Sequence, residues 1–562
     1  MPQTDTKRSL IEEINKRVQD KILEPSNAEL LIKLINNADS LDEAISIATL
    51  GTVYKKTGLH FAPKLEKKSE DIHYFKKNEE LSFHTDDSKP TNKLIIGDNY
   101  PALQNLLIQY KGNIDVIYID PPYGKDSMGE FAQTNYQNAI TRDNLLSMLY
   151  PRLLLAKQLL SEDGVIFCSI DDRNQAYVKC LFDEVFGEEN FIGALKWKKK
   201  KQPSFISNHI ATVIEYILVY ARYEKLLGKL STEKISDATK KVMNINNPEC
   251  IRTFNPGVLV KGIENGIIQK GKYLIKTMTV EYMQDVIIQN GQTTNSVEVK
   301  AKFLNTQDKI DGFIKDHLLF ITEKKGLRRY VSEEEKDNDK LISDLLLDWG
   351  DNQDSEKEIN ALFSSRVFDY TKPTKLIENL IKSYNSDDCI ILDFFAGSGT
   401  TGHAVLELNK QDYEEESLVS DTIAEGNNTY ILCQLNENLD ETLRIATGTA
   451  KTIIENQIRI CDKIKRPHEL SEITAERLRR VMLGESLDGT KDFPWLEDHT
   501  PYGGNLDVYE IANVANFASE PGQTPFDVID ETLYGETKFT TVKEKIDWVC
   551  KNFDKTQKYL ED

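Results

Sequence analysis

The hydrophobic positions along the chain follow two patterns, and the change from one to the other divides the sequence. Near the start, apolar side chains such as Leu10 and Ile14 repeat at helical spacing, which predicts a helical region over residues 1–63. Residues 64–92 are charged and irregular and predict a linker. From Lys93 onward, short apolar runs alternate with helical stretches, which is the pattern of buried strands in a parallel α/β sheet.

This alternation is interrupted once. It covers residues 93–225, stops over residues 226–364, where periodicity is weak and Asn, Gly and Lys are frequent, and resumes over residues 365–450. Residues 451–562 are mixed in character. The sequence therefore predicts an α/β fold, a mostly parallel twisted sheet with flanking helices, whose two halves are separated by an inserted domain and followed by a mixed C-terminal domain.

Composition restricts the class of protein. At roughly 150 residues per domain, a chain of 562 residues is too long for one domain. Lys and Arg number 70 against 91 Asp and Glu, and the net charge of −21 excludes a protein that binds nucleic acid by bulk positive charge but allows a local basic groove. The 7 cysteines form no C-x-x-C pair, and no apolar run approaches bilayer-spanning length, so we expect a cytoplasmic protein without contact to a membrane.

A glycine-rich run follows one predicted buried strand of the second half. It reads Asp393-Phe394-Phe395-Ala396-Gly397-Ser398-Gly399-Thr400-Thr401. Its glycines let the backbone turn sharply and approach a ligand, and the N-terminus of the next helix offers free N–H groups to an anion. Extended to Gly402, the run also matches G-x-G-x-x-G, so a dinucleotide-binding turn and a tight turn without a ligand are alternatives.

A second run directly follows the predicted strand at 114–119. It reads Asp120-Pro121-Pro122-Tyr123. Two prolines fix the backbone and remove two N–H donors, which leaves carbonyls that only accept hydrogen bonds. An exocyclic amino group on a base offers two hydrogens, of which Asp120 can accept one and the Pro121 carbonyl the other, while Tyr123 stacks on the ring. The alternative is a strand followed by a proline turn without a ligand.

Asp-Pro-Pro-Tyr together with Phe-Ala-Gly-Ser-Gly resembles the motif pair of the amino-methyltransferases that use S-adenosylmethionine to methylate adenine N6 or cytosine N4. The catalytic motif precedes the cofactor motif with an insert between them, which resembles the β-group of these DNA enzymes. The helical N-terminus, the size and the stretch from Gly503 to Tyr509 are most similar to the Mod subunit of type III restriction–modification systems. The implied fold is the S-adenosylmethionine-dependent methyltransferase sheet in permuted motif order.

The resemblance also implies roles for individual residues. Asp120, Pro121, Pro122 and Tyr123 are the expected catalytic group. The expected S-adenosylmethionine-binding residues are Asp98, Asn99, Asp120, Lys372, Pro373, Asp393, Phe394, Phe395, Ala396, Gly397, Ser398, Gly399, Thr400, Thr401 and Glu437. Among them, the Ser and Thr side chains are expected near the methionine end. Glu437 is expected at the ribose hydroxyls, although Asn436 stands where the family usually has Pro, and a solvated acid is the alternative. No metal is expected, because a sulfonium is already a strong electrophile.

A target atom inside a duplex requires base flipping and therefore contacts to DNA. The expected DNA-facing loop is Lys196, Trp197, Lys198, Lys199, Lys200 and Lys201, with a solvated charge run as the alternative. The insert at 226–364 is the expected target-recognition domain, because sequence is read through base edges beyond the catalytic core. The family further implies a homodimer and a separate ATP-dependent restriction subunit; the chain contains no G-x-x-x-x-G-K-[ST] motif of its own.

The sequence thus favours a site-specific adenine-N6 methyltransferase acting on double-stranded DNA. Cytosine-N4 methylation uses the same chemistry, but Ser usually replaces the Asp in those enzymes, and RNA-base or protein-glutamine enzymes more often carry Asn there. A non-catalytic DNA-recognition subunit is a different class of answer, against which the intact Asp120 and Tyr123 argue. A nicotinamide dehydrogenase would leave the Asp120-to-Tyr123 run without a role.

Overall fold

The protein is described by a computed structural model, which covers residues 2–19, 25–38, 40, 43–44, 47–48, 71–123, 142–202, 209–234, 239–275, 277–336, 338–386, 388–417, 427–515 and 524–553. The helices are α1 (Pro2–Gln19), α2 (Pro25–Asn37), α3 (Asn99–Tyr110), α4 (Arg142–Leu159), α5 (Gln175–Phe186), α6 (Gln307–Lys315), α7 (Glu333–Lys336), α8 (Asn352–Phe363), α9 (Thr374–Ser383), α10 (Thr400–Ser417), α11 (Leu439–Ile445), α12 (Gly448–Ile464), α13 (Leu470–Leu483), α14 (Trp495–Asp498), α15 (Pro525–Val528) and α16 (Val542–Phe553).

The strands belong either to a central sheet or to the insert. Those of the central sheet are β1 (Asp71–Lys77), β2 (Phe83–His84), β3 (Thr91–Ile96), β4 (Ile114–Ile119), β5 (Leu160–Ile170), β6 (Phe191–Lys198), β7 (Ile214–Ala221), β21 (Leu345–Leu346), β22 (Ile390–Asp393), β23 (Thr429–Gln434) and β24 (Asn505–Ala515). Those of the insert are β8 (Ser231–Lys234), β9 (Lys240–Lys241), β10 (Cys250–Phe254), β11 (Leu259–Val260), β12 (Gly266–Ile268), β13 (Gly271–Ile275), β14 (Met278–Tyr282), β15 (Val286–Gln289), β16 (Gln292–Thr293), β17 (Val297–Ala301), β18 (Leu319–Ile321), β19 (Leu327–Arg329) and β20 (Asp339–Leu341).

The central sheet runs in the order β1-β24-β3-β23-β22-β4-β5-β7-β6-β21, with β2 paired to β24. Pairing is parallel from β24 through β5, while β7 is antiparallel to both β5 and β6. The predicted mostly parallel α/β sheet, formed from two halves of the chain, is confirmed. Within it β22, from the second half, lies directly between β23 and β4.

Both faces of the sheet are covered, which explains the continuous apolar runs in the sequence. Along β4, Val116 and Tyr118 pack into the core on one face, and Ile117 and Ile119 pack into the core on the other. The alternation follows from the two-residue period of a strand. Helices α9, α10 and α13 contribute to the first core, and α3, α4 and α5 contribute to the second.

The strand connections create a switch point between β4 and β22. From β4 the chain passes through α4 to β5 on one side, and from β22 it passes through α10 to β23 on the other. In open α/β sheets, ligands bind beyond the carboxyl ends of the strands at such a point. The two motif runs begin at these carboxyl ends, one after β4 and one at the end of β22.

Three predicted boundaries are wrong, and two of them concern the edge of the central sheet. The linker expected at 64–92 contains β1 and β2, and both pair with β24. The mixed region expected at 451–562 supplies β24, which lies inside the central sheet between β1 and β3. The sequence did not reveal this strand pairing, because contacts that join residues more than 400 positions apart leave no local pattern.

The insert has a hydrophobic core of its own. Strands β10, β13, β14 and β17 form one sheet, strands β9, β11, β12, β15, β16, β18 and β19 form another, and α6 packs with them. The chain enters through β8 and leaves through β20, which pair as an antiparallel ribbon. Past the ribbon, β21 pairs with β6, and α8 packs into the central core. Residues 342–364 therefore belong to the core rather than to the insert.

Helices α1 and α2 form a small separate cluster around Ile14, Leu31 and Ile35. This agrees with the helical periodicity predicted for the N-terminal region; residues 51–63 lie outside the described residues. Within the described residues, none of the helices combines the length and the apolar character needed to cross a bilayer.

Candidate active site

The carboxylate of Asp120 lies immediately after β4 and collects three hydrogen bonds. The Tyr123 hydroxyl donates to its Oδ1 at 2.7 Å, and the Lys372 ammonium donates to both oxygens at 2.8 Å. Lys372 stands just before α9, and its Nζ also lies 3.1 Å from the Tyr123 hydroxyl. The fold thus joins the Asp120 run to a residue that follows it by 252 positions in the chain.

A second carboxylate lies behind the lysine. Glu215 in β7 has Oε2 3.4 Å from Lys372 Nζ and accepts a 2.7 Å hydrogen bond from Lys199 at its other oxygen. Burial alone would lower the pKa of Lys372, but Asp120 and Glu215 raise it above its ordinary value. Burial likewise raises the pKa of Glu215, but Lys372 and Lys199 outweigh it and lower that pKa overall. Lys199, Glu215, Lys372 and Asp120 therefore form a row of alternating charges.

Aromatic rings border this row of charges. The Lys372 ammonium is 5.4 Å from the centroid of the Tyr123 ring and 5.9 Å from that of Trp197. Burial, followed by the negative charge of Asp120, raises the pKa of Tyr123 well above its usual value, so the phenol is a donor throughout the physiological range. Pro121 and Pro122 bring no N–H group to this corner.

At the end of β22, the carboxylate of Asp393 points inward and organises the glycine turn. It is 2% exposed and accepts hydrogen bonds from the Phe395 amide at 2.9 Å and the Thr401 hydroxyl at 2.5 Å. Burial raises its pKa to about 7, although both hydrogen bonds oppose the shift. Gly397 and Gly399 have φ values of +53° and +78°, a region that side-chain-bearing residues adopt at a cost.

The other hydroxyls of the turn also have partners inside the protein. The guanidinium of Arg477, in α13, donates to Ser398 Oγ at 3.0 Å and to Thr400 Oγ1 at 2.8 Å. Arg477 is fully buried, and this burial lowers its pKa to about 10. Ser398, Thr400 and Thr401 are expected near the methionine end of the cofactor, and in this structure their hydroxyls bond to a buried guanidinium and a buried carboxylate.

The two residues after β3 connect this strand to the turn. Asn99 donates from Nδ2 to the carbonyl of Phe394 at 2.6 Å and accepts from Arg152 Nε at 2.5 Å. Asp98 caps α3 by accepting from the Tyr100 amide at 2.7 Å, and it also accepts from Arg152 at 2.9 Å. Asn99 therefore holds the glycine turn in place from the side of β3, while the Asp98 side chain stays half-exposed at the edge of the site.

Glu437 lies three residues past β23 and is 8% exposed. The Thr442 hydroxyl donates to its Oε1 at 2.9 Å. Burial raises the pKa of Glu437 to about 7, which the Thr442 hydrogen bond only partly offsets. A solvated acid after a strand, the alternative considered from sequence, does not fit this burial.

The structure differs from the predicted DNA-facing lysine loop at its start, where three of the six residues belong to a strand and one of these is buried. Lys196, Trp197 and Lys198 belong to β6, and Trp197 is completely buried, with its indole N–H bonded to the Gly350 carbonyl at 2.8 Å. Three of the lysines form ion pairs, namely Lys196–Asp344, Lys199–Glu215 and Lys201–Asp351. The Trp197 indole packs in the core next to Lys372. The acids that neutralise the lysines belong to other segments of the chain. Lys198 and Lys200 are half-buried.

Three functional candidates were not predicted from the sequence: Glu215, Arg477 and Arg152. Glu215 is the second residue of β7, and nothing in the sequence around it marks it as a buried acid at a site. Arg477 lies on a helix that looks like an ordinary charged helix, and only its complete burial distinguishes it. Arg152 follows Pro151 inside the leucine-rich α4, where its side chain is 5% exposed.

These residues meet at the same edge. Strands β3, β23, β22 and β4 are consecutive and parallel, so Asp98, Glu437, the glycine turn and Asp120 lie along one line of carboxyl ends. A nucleoside linked to a charged amino acid fits such a row: a buried carboxylate suits sugar hydroxyls, and a glycine turn gives close backbone approach. The residues present therefore fit S-adenosylmethionine.

Comparison with known proteins agrees with this geometry. A family model described as DNA methylase matches residues 114–444, more than half of the chain. A second model, described as an uncharacterised conserved protein, matches residues 7–116. The chain is 29% identical to the StyLTI Mod subunit, a type III restriction-modification enzyme of Salmonella typhimurium strain LT2, over 77% of this chain and 64% of the relative.

Other relatives give the same picture. The EcoP15I Mod subunit of Escherichia coli, also of a type III restriction-modification enzyme, is 26% identical over 70% of this chain and 66% of its own length. The chain therefore spans slightly less than two thirds of these two relatives. Among solved structures, PvuII DNA methyltransferase, described as cytosine-N4-specific, matches 66% of this chain and 94% of its own at 12% identity, with a TM-score of 0.32.

Proposed function

The chain belongs to the DNA methylase family, and on that premise we propose that it transfers a methyl group from S-adenosylmethionine to the N6 atom of adenine in double-stranded DNA. The observation that carries the proposal is the adjacency of β4 and β22. It brings the Asp120-to-Tyr123 run next to the glycine turn although an insert separates them in sequence. A donor and an acceptor of a transferred group need such adjacent sites.

The target amino group is held by acceptors at the end of β4. Asp120 accepts one N–H and the carbonyl of Pro121 accepts the other, which directs the nitrogen lone pair away from the ring and toward the cofactor side. Tyr123 stacks on the base and orients Asp120 through its hydroxyl, which lies 2.7 Å from Oδ1. Because the methyl donor is already reactive, positioning of this kind supplies most of the rate enhancement of the transfer.

The cofactor is held by the turn from Asp393 to Thr401, with Glu437 accepting from the ribose hydroxyls and Asp98 and Asn99 at the rim. When bound, S-adenosylmethionine supplies an electrophilic methyl group on a positively charged sulfur. The residues of the turn exclude water and hold the ligand by their backbone, because Asp393 and Arg477 engage its side chains. Lys372, expected at the cofactor, instead contacts Asp120, so we assign it to the base side.

DNA reading is assigned to the insert. Residues 239–331 contain fifteen Lys and Arg against nine Asp and Glu, a net charge of plus six in a chain whose total is −21. A basic module on an acidic protein concentrates the attraction to phosphate where sequence is read. We retain Lys198 and Lys200 as candidate phosphate contacts at the edge of the active site.

The similarity to Mod subunits from Salmonella and Escherichia coli supports a finer proposal. The protein is the modification subunit of a type III restriction–modification system, acts as a homodimer, and binds a separate ATP-dependent restriction subunit. Sedimentation of the purified chain tests the homodimer, and co-purification with an ATP-hydrolysing partner protein tests the restriction subunit.

The activity is tested with S-adenosylmethionine carrying a labelled methyl group, unmethylated genomic DNA and the purified chain, followed by mass spectrometry of the digested nucleosides. We expect the label as N6-methyladenine. Label as N4-methylcytosine would retain the mechanism and replace the substrate. Absence of transfer to any DNA, with the cofactor bound, would contradict the proposal.

A further inference from the structure

The contacts of Lys372 have a feature that the proposed function does not use. Its ammonium lies 2.8 Å from each Asp120 oxygen, the symmetric position for a donor to a carboxylate. Under the proposed function, the amino group of the target base must donate to the same carboxylate. Tyr123 and Lys372 already use both lone-pair positions of Oδ1, and Lys372 uses one of the two on Oδ2. The base must therefore share Oδ2 with the ammonium, and this charged donor weakens the hydrogen bond that the base can form there.

A second carboxylate is available to the same ammonium. Glu215 Oε2 is 3.4 Å from Lys372 Nζ, slightly beyond the length of a charge-assisted hydrogen bond. A small rotation of the lysine side chain would convert this contact into a direct bond while releasing Asp120. The Lys372 side chain is 9% exposed, and its ammonium would stay paired in either position rather than be left as an isolated buried charge.

We propose that Lys372 is a placeholder for the target amino group: in the base-free site its ammonium holds and orients Asp120, and when the base enters it withdraws onto Glu215. The inference rests on the proposed function and deepens it, since it makes Lys372 and Glu215 positioning residues for the base. Lys199, 2.7 Å from the other Glu215 oxygen, keeps Glu215 directed toward the lysine. The device favours bases that present an amino group, because only a donor replaces the hydrogen bonds that the ammonium gives up.

Two variants should move base occupancy in opposite directions. Lys372→Met removes the competitor for Asp120, so the target base enters more readily. Glu215→Gln keeps the size of the side chain but removes the second anion, so the lysine stays on Asp120 and the base enters less readily. Loss of one charge-assisted hydrogen bond corresponds to about a tenfold change in the equilibrium. Lys372→Arg, whose planar fork suits a carboxylate, should act in the same direction as Glu215→Gln.

The readout is fluorescence from 2-aminopurine placed next to the target adenine, in a duplex carrying the site mapped by sequencing DNA methylated by this protein. The fluorescence rises when the adenine leaves the stack. S-adenosylhomocysteine in place of the methyl donor prevents turnover. A matched duplex carries purine, which lacks the amino group, at the target position. The quantity compared is the flipped fraction for adenine relative to purine.

We expect this ratio to rise in Lys372→Met and to fall in Glu215→Gln and Lys372→Arg, each by about tenfold. Lys451→Met and Glu455→Gln, which break an exposed ion pair on α12, are the matched controls and should leave it unchanged. Circular dichroism verifies that each variant is folded, and Glu215→Gln and Lys372→Arg still test the idea if Lys372→Met does not fold.

A change of the ratio in the same direction in all folded variants, or no change, would overturn the placeholder role and leave the proposed methyl transfer intact. The two claims fail separately, because the methyl transfer is judged by the wild-type protein alone. If the wild type methylates no DNA, the proposed function fails before the variants are compared.

Discussion

The turns after β4 and β22 lie side by side, yet their side chains are used in different ways. After β4, the polar side chains of Asp120 and Tyr123 meet one another and Lys372 at the site. After β22, the polar side chains are directed inward: Thr401 binds Asp393, and Ser398 and Thr400 bind Arg477. Under the proposed function, the first turn offers functional groups to a ligand, and the second offers a backbone that its own side chains hold in shape.

The difference shows what a motif does and does not specify. In the first turn, the residue types carry the chemistry, so each substitution should affect the reaction directly. In the second turn, the residue types build a support, so a substitution should first affect stability and only then ligand binding. The first three predictions that follow test this contrast, and a fourth tests Glu437, which lies beside the two turns.

Asp120→Ala should reduce methyl transfer by at least about 10²–10³-fold, the typical cost of removing one preorganised polar group from an active site. The rate is measured in a single turnover with excess enzyme and labelled methyl donor. Asp492→Ala, at an exposed position, is the control. Transfer at a normal rate in Asp120→Ala would remove the distinction between the two turns.

Arg477→Met should destabilise the folded state by about 3–5 kcal/mol, because it removes the buried donor to Ser398 and Thr400 and also the charged partner of the half-buried Glu358, 3.9 Å from the guanidinium. The free energy of unfolding is measured by denaturant titration. The exposed Arg459→Met on the neighbouring α12 should change it little. If Arg477→Met abolished transfer without any loss of stability, the support role of the second turn would be wrong.

Thr401→Val should cost about 1–3 kcal/mol, less than the loss of Arg477, because it removes one hydroxyl donor and leaves the buried Asp393 short of one hydrogen bond. Urea titration again gives the free energy, and Thr452→Val on the exposed side of α12 is the matched control. Equal stability of Thr401→Val and Thr452→Val would mean that Asp393 does not depend on this hydroxyl.

Glu437 should produce the smallest effect, a dependence of cofactor affinity on pH. Its pKa of about 7 is raised above the usual value, so the carboxylate that accepts from ribose hydroxyls is lost as pH falls through about 7. Affinity for S-adenosylmethionine should therefore increase by about threefold from pH 6 to pH 8. This change corresponds to a few tenths of the free energy of a hydrogen bond to a charged group. Glu437→Gln should flatten the profile; an unchanged slope in that variant would assign the titration to another group.

The raised pKa has the opposite consequence for folding. Because the folded state prefers protonated Glu437, its contribution to stability is complete at acidic pH and is lost as pH rises through about 7. Cofactor binding and stability should therefore respond to pH in opposite directions.

Much of this fold was predictable from local pattern. The apolar runs that became β3, β4, β5, β22 and β23 identify the strands, and two short motifs identify the ends where ligands bind. β1, β2 and β24 were not predicted, because β1 pairs with β24 across more than 430 positions, and such a pairing depends on tertiary contacts that a local window does not contain.

The site was predictable in its position and less so in its side-chain roles. Asp120, Tyr123 and Asp393 lie where the motifs indicate. Lys372 was expected at the cofactor, but it binds Asp120. The two residues become neighbours only because the chain returns to the central sheet after the insert, which a local pattern does not show. The lysine run was assigned to a surface by its charge, whereas the acids that neutralise Lys196, Lys199 and Lys201 are contributed by other segments.

The contrast between the two turns is tested most directly by calorimetric titration of S-adenosylmethionine into Asp120→Ala. If the turn after β22 holds the cofactor by its own backbone, the dissociation constant should stay within about threefold of the wild-type value even though transfer is lost, since a threefold change is well under 1 kcal/mol. Loss of cofactor binding in Asp120→Ala would contradict this separation of roles between the turns.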